Sequence, residues 1–138
     1  MLFRSPVMPI STPYGLVGMA GLALLTTVHW VRDQGLLLGS TGLWLAGVAP
    51  NFAAAVAITF VLLSFWADQK PGLEFSAVRH RFLGCAAISG LGLTGWELIQ
   101  MTSNRFVFDL FDLLATLGGL LVAILLFHLV TPQKSAAT

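Results

Sequence analysis

Apolar positions along this chain form four long runs separated by short polar clusters, with no strict alternation that would suggest strands. The first run extends from Tyr14 to Val31, entered by Pro13 and ended by Arg32-Asp33. The second extends from Leu43 to Trp66 and gives way to Ala67-Asp68-Gln69-Lys70-Pro71-Gly72, which cannot continue an apolar helix. A third run covers Phe82 to Gln100, and a fourth covers Leu110 to Val130, where Thr131-Pro132 stops it. A hydrocarbon core of about 30 Å takes about 20 helical residues at ~1.5 Å each. The pattern therefore predicts an all-α protein: an integral membrane four-helix bundle with short loops, one transmembrane domain over residues 1–138, and helices at about 14–31, 43–66, 82–100 and 110–130.

The first run is read as a retained helix. A cleaved signal peptide has a basic start, a short apolar core and a small-x-small cleavage site. This chain instead begins with Pro6, Pro9 and Pro13, and its first run ends at His29-Trp30-Val31-Arg32.

Composition narrows the class further. The 138 residues are 57% hydrophobic and 9% charged, with a formal net charge of +1; soluble domains carry about 25% charged residues. Those values exclude a disordered chain, a collagen-like chain and a basic nucleic-acid binder. Cys85 is the single cysteine, which excludes an intramolecular disulfide and any zinc site built on several cysteines. Its apolar surroundings suggest an inert thiol. The phenylalanines are scattered and mark no cofactor box, so no cofactor is expected.

Charges in short loops set orientation, because Lys and Arg remain cytoplasmic. With four spans, the N-terminus, second loop and C-terminal tail share a side and hold Arg4, Lys70, Arg79, Arg81 and Lys134; the other side holds Arg32 and Arg105. Both termini are therefore expected in the cytoplasm. Trp30, Trp44 and Trp96 then lie toward the outer interface and Trp66 toward the inner one. Arg79, His80 and Arg81 precede the third span, where they would meet acidic headgroups. His128 falls at the same end and is read as structural or interfacial. Small residues step by four at Ala86, Gly90 and Thr94, and again at Ala115, Gly119 and Ala123. Such faces let helices approach closely, within the bundle or between two copies.

Polar residues gather at the outer end. Asp33, Glu97, Asp109 and Asp112 fall there, with His29 ending the first helix and Asn51 about two turns into the second. Glu97 and Gln100 share one face of the third helix, Arg105 follows in a short connection, and Asp109, Asp112 and Thr116 form one stripe opening the fourth. Asp109 and Asp112 suit a helix N-terminus, where free backbone N–H groups and the macrodipole favour acids. That explains Asp109 better than Asp112, which lies a turn deeper. A carboxylate at mid-membrane costs about 3 kcal/mol on the insertion scale, less near the interface, so such groups face the bundle interior or a wet cavity. A metal site drawn from His29, Glu97 and Asp112 would need three helices to converge without a single-helix motif, and no metal is expected.

The segment Glu97-x2-Gln100-x4-Arg105-x3-Asp109-x2-Asp112-x3-Thr116-x2-Gly119-x3-Ala123 resembles the signature of the VanZ-like membrane protein family. Glu97, Gln100, Arg105, Asp112 and Gly119 match it by identity. Thr116 stands where that family usually has Asn, and Ala123 where it has Gly. Pro50-Asn51-Phe52 is a fainter echo, and the Asp-Lys-x2-His segment carried by many members is not found. The resemblance covers about thirty residues. It implies a small multi-spanning protein of the bacterial cytoplasmic membrane, linked in some members to resistance to the glycopeptide teicoplanin. It implies no particular reaction.

Three functions follow as expectations. The first is a binding protein whose outer cleft (Glu97, Gln100, Arg105, Asp109, Asp112, Thr116) holds a membrane lipid or lipid-linked envelope-precursor headgroup, with Arg105 attracting phosphate. The second is an envelope-modifying enzyme using Glu97 as acid/base, for which no nucleophile stands out. The third is an accessory subunit whose polar end docks another membrane protein or a second copy.

Overall fold

Inside hydrocarbon no water can satisfy backbone N–H and C=O groups, so apolar runs of this length must close their hydrogen bonds within the segment. The computed structural model, which describes residues 8–36, 38–70, 72, 74–103 and 108–133, has that solution four times. The helices are α1 (Ser11–Asp33), α2 (Ser40–Gln69), α3 (Phe75–Gln100) and α4 (Leu110–Val130), with no strand among the described residues. All four are long and apolar enough to cross a membrane. The chain is an all-α, multi-pass membrane protein.

Three helices run past the apolar stretches that predict them. The largest difference is at α3, which begins at Phe75 where the hydrophobic run suggests about Phe82. The reason is periodicity: Val78 and Phe82 are buried while Arg79, His80 and Arg81 are exposed, so the basic residues occupy the outward face of one more helical turn. Pro13 sits in the first turn of α1, where its missing N–H has no helical partner to lose. Pro50 lies inside α2 and supplies no N–H to the carbonyl of Ala46.

Helix α2 is the central element, packed against each of the other three, and α1 rests mainly on it. Close approach depends on small residues. Gly21 of α1 meets Ala57 of α2, and Gly119 of α4 lies so near α2 that a Cβ there would stand 2.5 Å from the Phe52 carbonyl oxygen. Gly90 faces Leu120. The small-residue stripes are thus used inside the bundle.

The two ends differ in character. At one end, called here the Asp68 end, aromatic rings fill the space between helices: Tyr14, Phe60, Phe82 and Phe127 are fully buried. Phe82 and Phe127 stack with centroids 4.3 Å apart. The Tyr14 hydroxyl shares a 2.8 Å hydrogen bond with that of Thr131, tying the start of α1 to the end of α4. Ser11 donates to Asp68 at 3.2 Å, and Ser64 donates to the Ser11 carbonyl at 3.0 Å. Arg81 lies over the Trp66 ring, 5.3 Å from its centroid. The opposite end, the Asp112 end, carries Trp30, Trp44 and Trp96 in exposed positions, which matches the expected grouping of tryptophans. That end also holds the polar cluster.

Candidate functional site

The Asp112 end is assembled from the C-terminal turns of α1 and α3 and the N-terminal turns of α2 and α4. An edge-to-face contact between Trp44 and Phe111, 5.9 Å between centroids, holds the starts of α2 and α4 together. The site is built on this frame.

Glu97, in the last turn of α3, is 1% exposed and is the only carboxylate among the buried described residues. Two amides approach it. Gln100 Nε2, one turn on, donates to Glu97 Oε1 at 3.0 Å, and Asn51 Nδ2 reaches the same oxygen from α2 at 3.3 Å. The backbone amide of Asp109 also faces this carboxyl group, but among the described residues no donor or acceptor meets Oε2 with hydrogen-bond geometry. Among the described residues the deficiency holds for either protonation state: an oxygen anion there has no donor at hydrogen-bond geometry, and a hydroxyl there has no acceptor. A buried polar atom left so costs about 1–3 kcal/mol.

Asp112 is half-buried, close enough to Glu97 for their charges to interact, and Asn51 lies beside both. The lone amide of the second span therefore lies between the two acids, bonded to Glu97. Arg32, exposed at the end of α1, also acts electrostatically on Asp112. Among the described residues its side chain makes no ion pair or hydrogen bond. Asp109 has the capping role: its backbone is extended and its carboxylate accepts from the Phe111 amide at 2.8 Å. Thr116 is buried, and its hydroxyl donates to the Asp112 backbone carbonyl at 3.0 Å, so it supports the helix and offers little to a ligand.

The residues singled out by the sequence divide accordingly. Glu97, Gln100 and Asp112 come together, Asp109 and Thr116 serve the start of α4, and Arg105 lies outside the described residues. Asn51 and Arg32 complete the group. The signal for Asn51 was present as an amide within an otherwise apolar span; for Arg32 it was only the scarcity of positive charge at this end. Among the described residues, no three His, Cys, Asp or Glu side chains are grouped as a metal would need.

At the same end of the bundle, a cleft of about 440 Å³ opens between the end of α1 and the start of α2, lined by none of Asn51, Glu97, Gln100 and Asp112. Arg32 is its charged residue, and Leu36, Leu38, Leu43, Ala46 and Gly47 contribute to its lining. No protein-family model, curated protein or solved structure matches the chain.

Proposed function

We propose that this protein binds the polar headgroup of a membrane lipid or lipid-linked envelope precursor at the Asp112 end of its bundle. The observation that carries the reading is Oε2 of Glu97, an enclosed atom that, unlike the buried Ser and Thr hydroxyls, has no hydrogen-bond partner among the described residues. Glu97 forms the floor of the site, fixed by Asn51 and Gln100, and half-buried Asp112 is the acid an incoming group meets first. Two carboxyl groups served by amides favour a ligand that presents N–H or O–H donors. A membrane-embedded protein meets such donors chiefly on headgroups.

The charge asymmetry of the loops supports placing this end outside the cytoplasm, in a bacterial inner membrane. The spacing from Glu97 to Ala123 supports a VanZ-like role in the cell envelope, with glycopeptide resistance as its context. A catalytic reading has less behind it: the Thr116 and Ser89 hydroxyls are committed to backbone carbonyls and offer no nucleophile beside Glu97.

The test is lipid retention. Protein purified in mild detergent, with its bound lipids quantified by mass spectrometry, should be enriched in one headgroup class relative to the source membrane. Glu97→Gln and Asp112→Asn should lose that enrichment while eluting as the wild type does. Equal enrichment in both variants overturns the reading.

A further inference from the structure

A second polar site lies at the opposite end of the bundle and owes nothing to Glu97. We infer that the flank of α3 at the Asp68 end binds one phospholipid of net negative charge: Arg79 and Ser76 take the phosphate, and Leu83, Ala87 and Leu91 take an acyl chain. A cleft of about 320 Å³ opens there, lined by Phe75, Ser76, Arg79, His80 and Leu83. Two of its walls are held in place. The Phe75 ring lies 5.9 Å from that of Phe127, anchored on the aromatic core. His80 Nδ1 donates to the Ser76 carbonyl at 2.7 Å, which holds the imidazole against the first turn of the helix.

Register gives the site the polarity of a lipid. Ser76, Arg79 and Leu83 are spaced by three and four, and Ala87 and Leu91 continue the row by fours along one side of α3. Helix α3 starts at the Asp68 end, so the hydroxyl and guanidinium come first and Leu83 lies one turn, about 6 Å, further into the membrane. Arg79 stands three residues before the apolar run that opens at Phe82, at the interfacial border of the span. From Arg79 to Leu91 the helix rises about 18 Å, against about 15 Å for half a hydrocarbon core. Leu83 and Leu91 are 49% and 74% exposed, and Ala87 between them is exposed as well.

Charge separates Arg79 from its basic neighbour. The Arg81 guanidinium lies over the Trp66 ring, on the side of α3 that faces α2, and takes no part in the cleft. Among the described residues Arg79 makes no ion pair, hydrogen bond or ring contact, and the Ser76 hydroxyl has no partner. Glu74, the residue before the helix, is exposed and outside the lining. The cleft therefore offers a guanidinium, a hydroxyl and no acid. Phosphate oxygens accept from both groups. A phosphatidylcholine headgroup would bring its own cation against Arg79, which favours an anionic lipid.

Native mass spectrometry of the purified full chain, titrated in detergent with short-chain phosphatidylglycerol and phosphatidylcholine, tests the assignment. In a micelle no bilayer surface potential acts, so contact at the cleft decides. Wild type should bind phosphatidylglycerol about fivefold more tightly, the equivalent of about 1 kcal/mol for one basic residue at an anionic headgroup. Arg79→Gln should lose that preference, Arg79→Lys should keep part of it, and Arg81→Gln should keep it. Soluble glycerol 3-phosphate should not compete at equal concentration. Equal binding of the two lipids by the wild type overturns the inference without any variant. An equal loss in Arg79→Gln and Arg81→Gln overturns it in favour of a diffuse basic surface. Competition by glycerol 3-phosphate as strong as by the lipid overturns the acyl-chain contact and with it the lipid. If Glu97→Gln removes a preference that Arg79→Gln retains, the anionic lipid belongs to the Asp112 end and the assignment to α3 falls.

Discussion

Asn51 and Glu97 stand 46 residues apart in the chain and meet across α2 and α3, amide nitrogen to carboxyl oxygen, at 3.3 Å. The contact joins two helices inside the polar cluster, where Gln100 donates to the same carboxyl oxygen. A buried donor or acceptor that loses its partner costs about 1–3 kcal/mol. Asn51→Ala should therefore lower the unfolding free energy in detergent by about that amount. Glu97→Leu, which removes the buried carboxyl group altogether, should cost less when Asn51 is already Ala than when it is present. A double-mutant cycle measures the difference, and additive effects would remove the contact from the account.

Asp109 separates capping from binding. Its carboxylate accepts from the Phe111 amide, a bond that Asn makes equally well at a helix start. Asp109→Ala should destabilise the protein by about 1 kcal/mol, and Asp109→Asn should leave stability near wild type. Thermal unfolding of the two variants in one detergent decides it. A loss of equal size in both would mean that the charge, beyond the hydrogen bond, matters there.

The four helices were legible because hydrocarbon imposes length, and residues outside the apolar runs were where the reading fell short. Arg79, His80 and Arg81 marked an interface by composition, yet their place on the exposed face of α3 depends on Val78 and Phe82 packing against the aromatic core. The candidate site was legible along a helix and dim between helices. Spacing places Glu97 with Gln100, since residues three apart share a face. It places Asp112 at the start of α4 but cannot separate a cap from a wall of a site. The meeting of Asn51 with both acids depends on how α2 lies against α3 and α4. That arrangement is set partly by Gly119, whose approach to Phe52 has no signature beyond one small residue.

Gly119 should tolerate little. A Cβ there would lie 2.5 Å from the Phe52 carbonyl oxygen and 2.8 Å from the Ala55 Cβ, and backbone cannot give way as a flexible side chain can. Gly119→Ala should cost about 1–3 kcal/mol by forcing α4 from α2. Gly92→Ala, on α3 with nothing within 4 Å, should be neutral or stabilising by up to about 1 kcal/mol. Reversible unfolding in mixed micelles gives both values. Equal effects would show that helix propensity, and not interhelical distance, governs these positions.

At the opposite end, Tyr14 and Thr131 close the bundle through their hydroxyls, both within buried residues. Tyr14→Phe keeps the ring against Phe60 and Phe127 and removes only the hydrogen bond. A loss of about 1 kcal/mol is expected, with Thr131→Val giving a similar value. The double variant should cost less than the sum, because each single change strands one hydroxyl and the pair strands none. Strict additivity would assign the loss to packing.

Orientation follows from charges that are few enough to test singly. The connection between α2 and α3, the first two turns of α3 and the two termini carry five of the seven Lys and Arg residues, which favours that side for the cytoplasm. Cys85 is the one native thiol, so a Cys85→Ala background allows single reporters. Gln34→Cys, at the end of α1, should react with a membrane-impermeant maleimide in intact cells. Gln69→Cys, at the end of α2, should react only after the membrane is opened. The reverse pattern would turn the Glu97–Asp112 end to the cytoplasm. The proposed headgroup site would then face the inner leaflet.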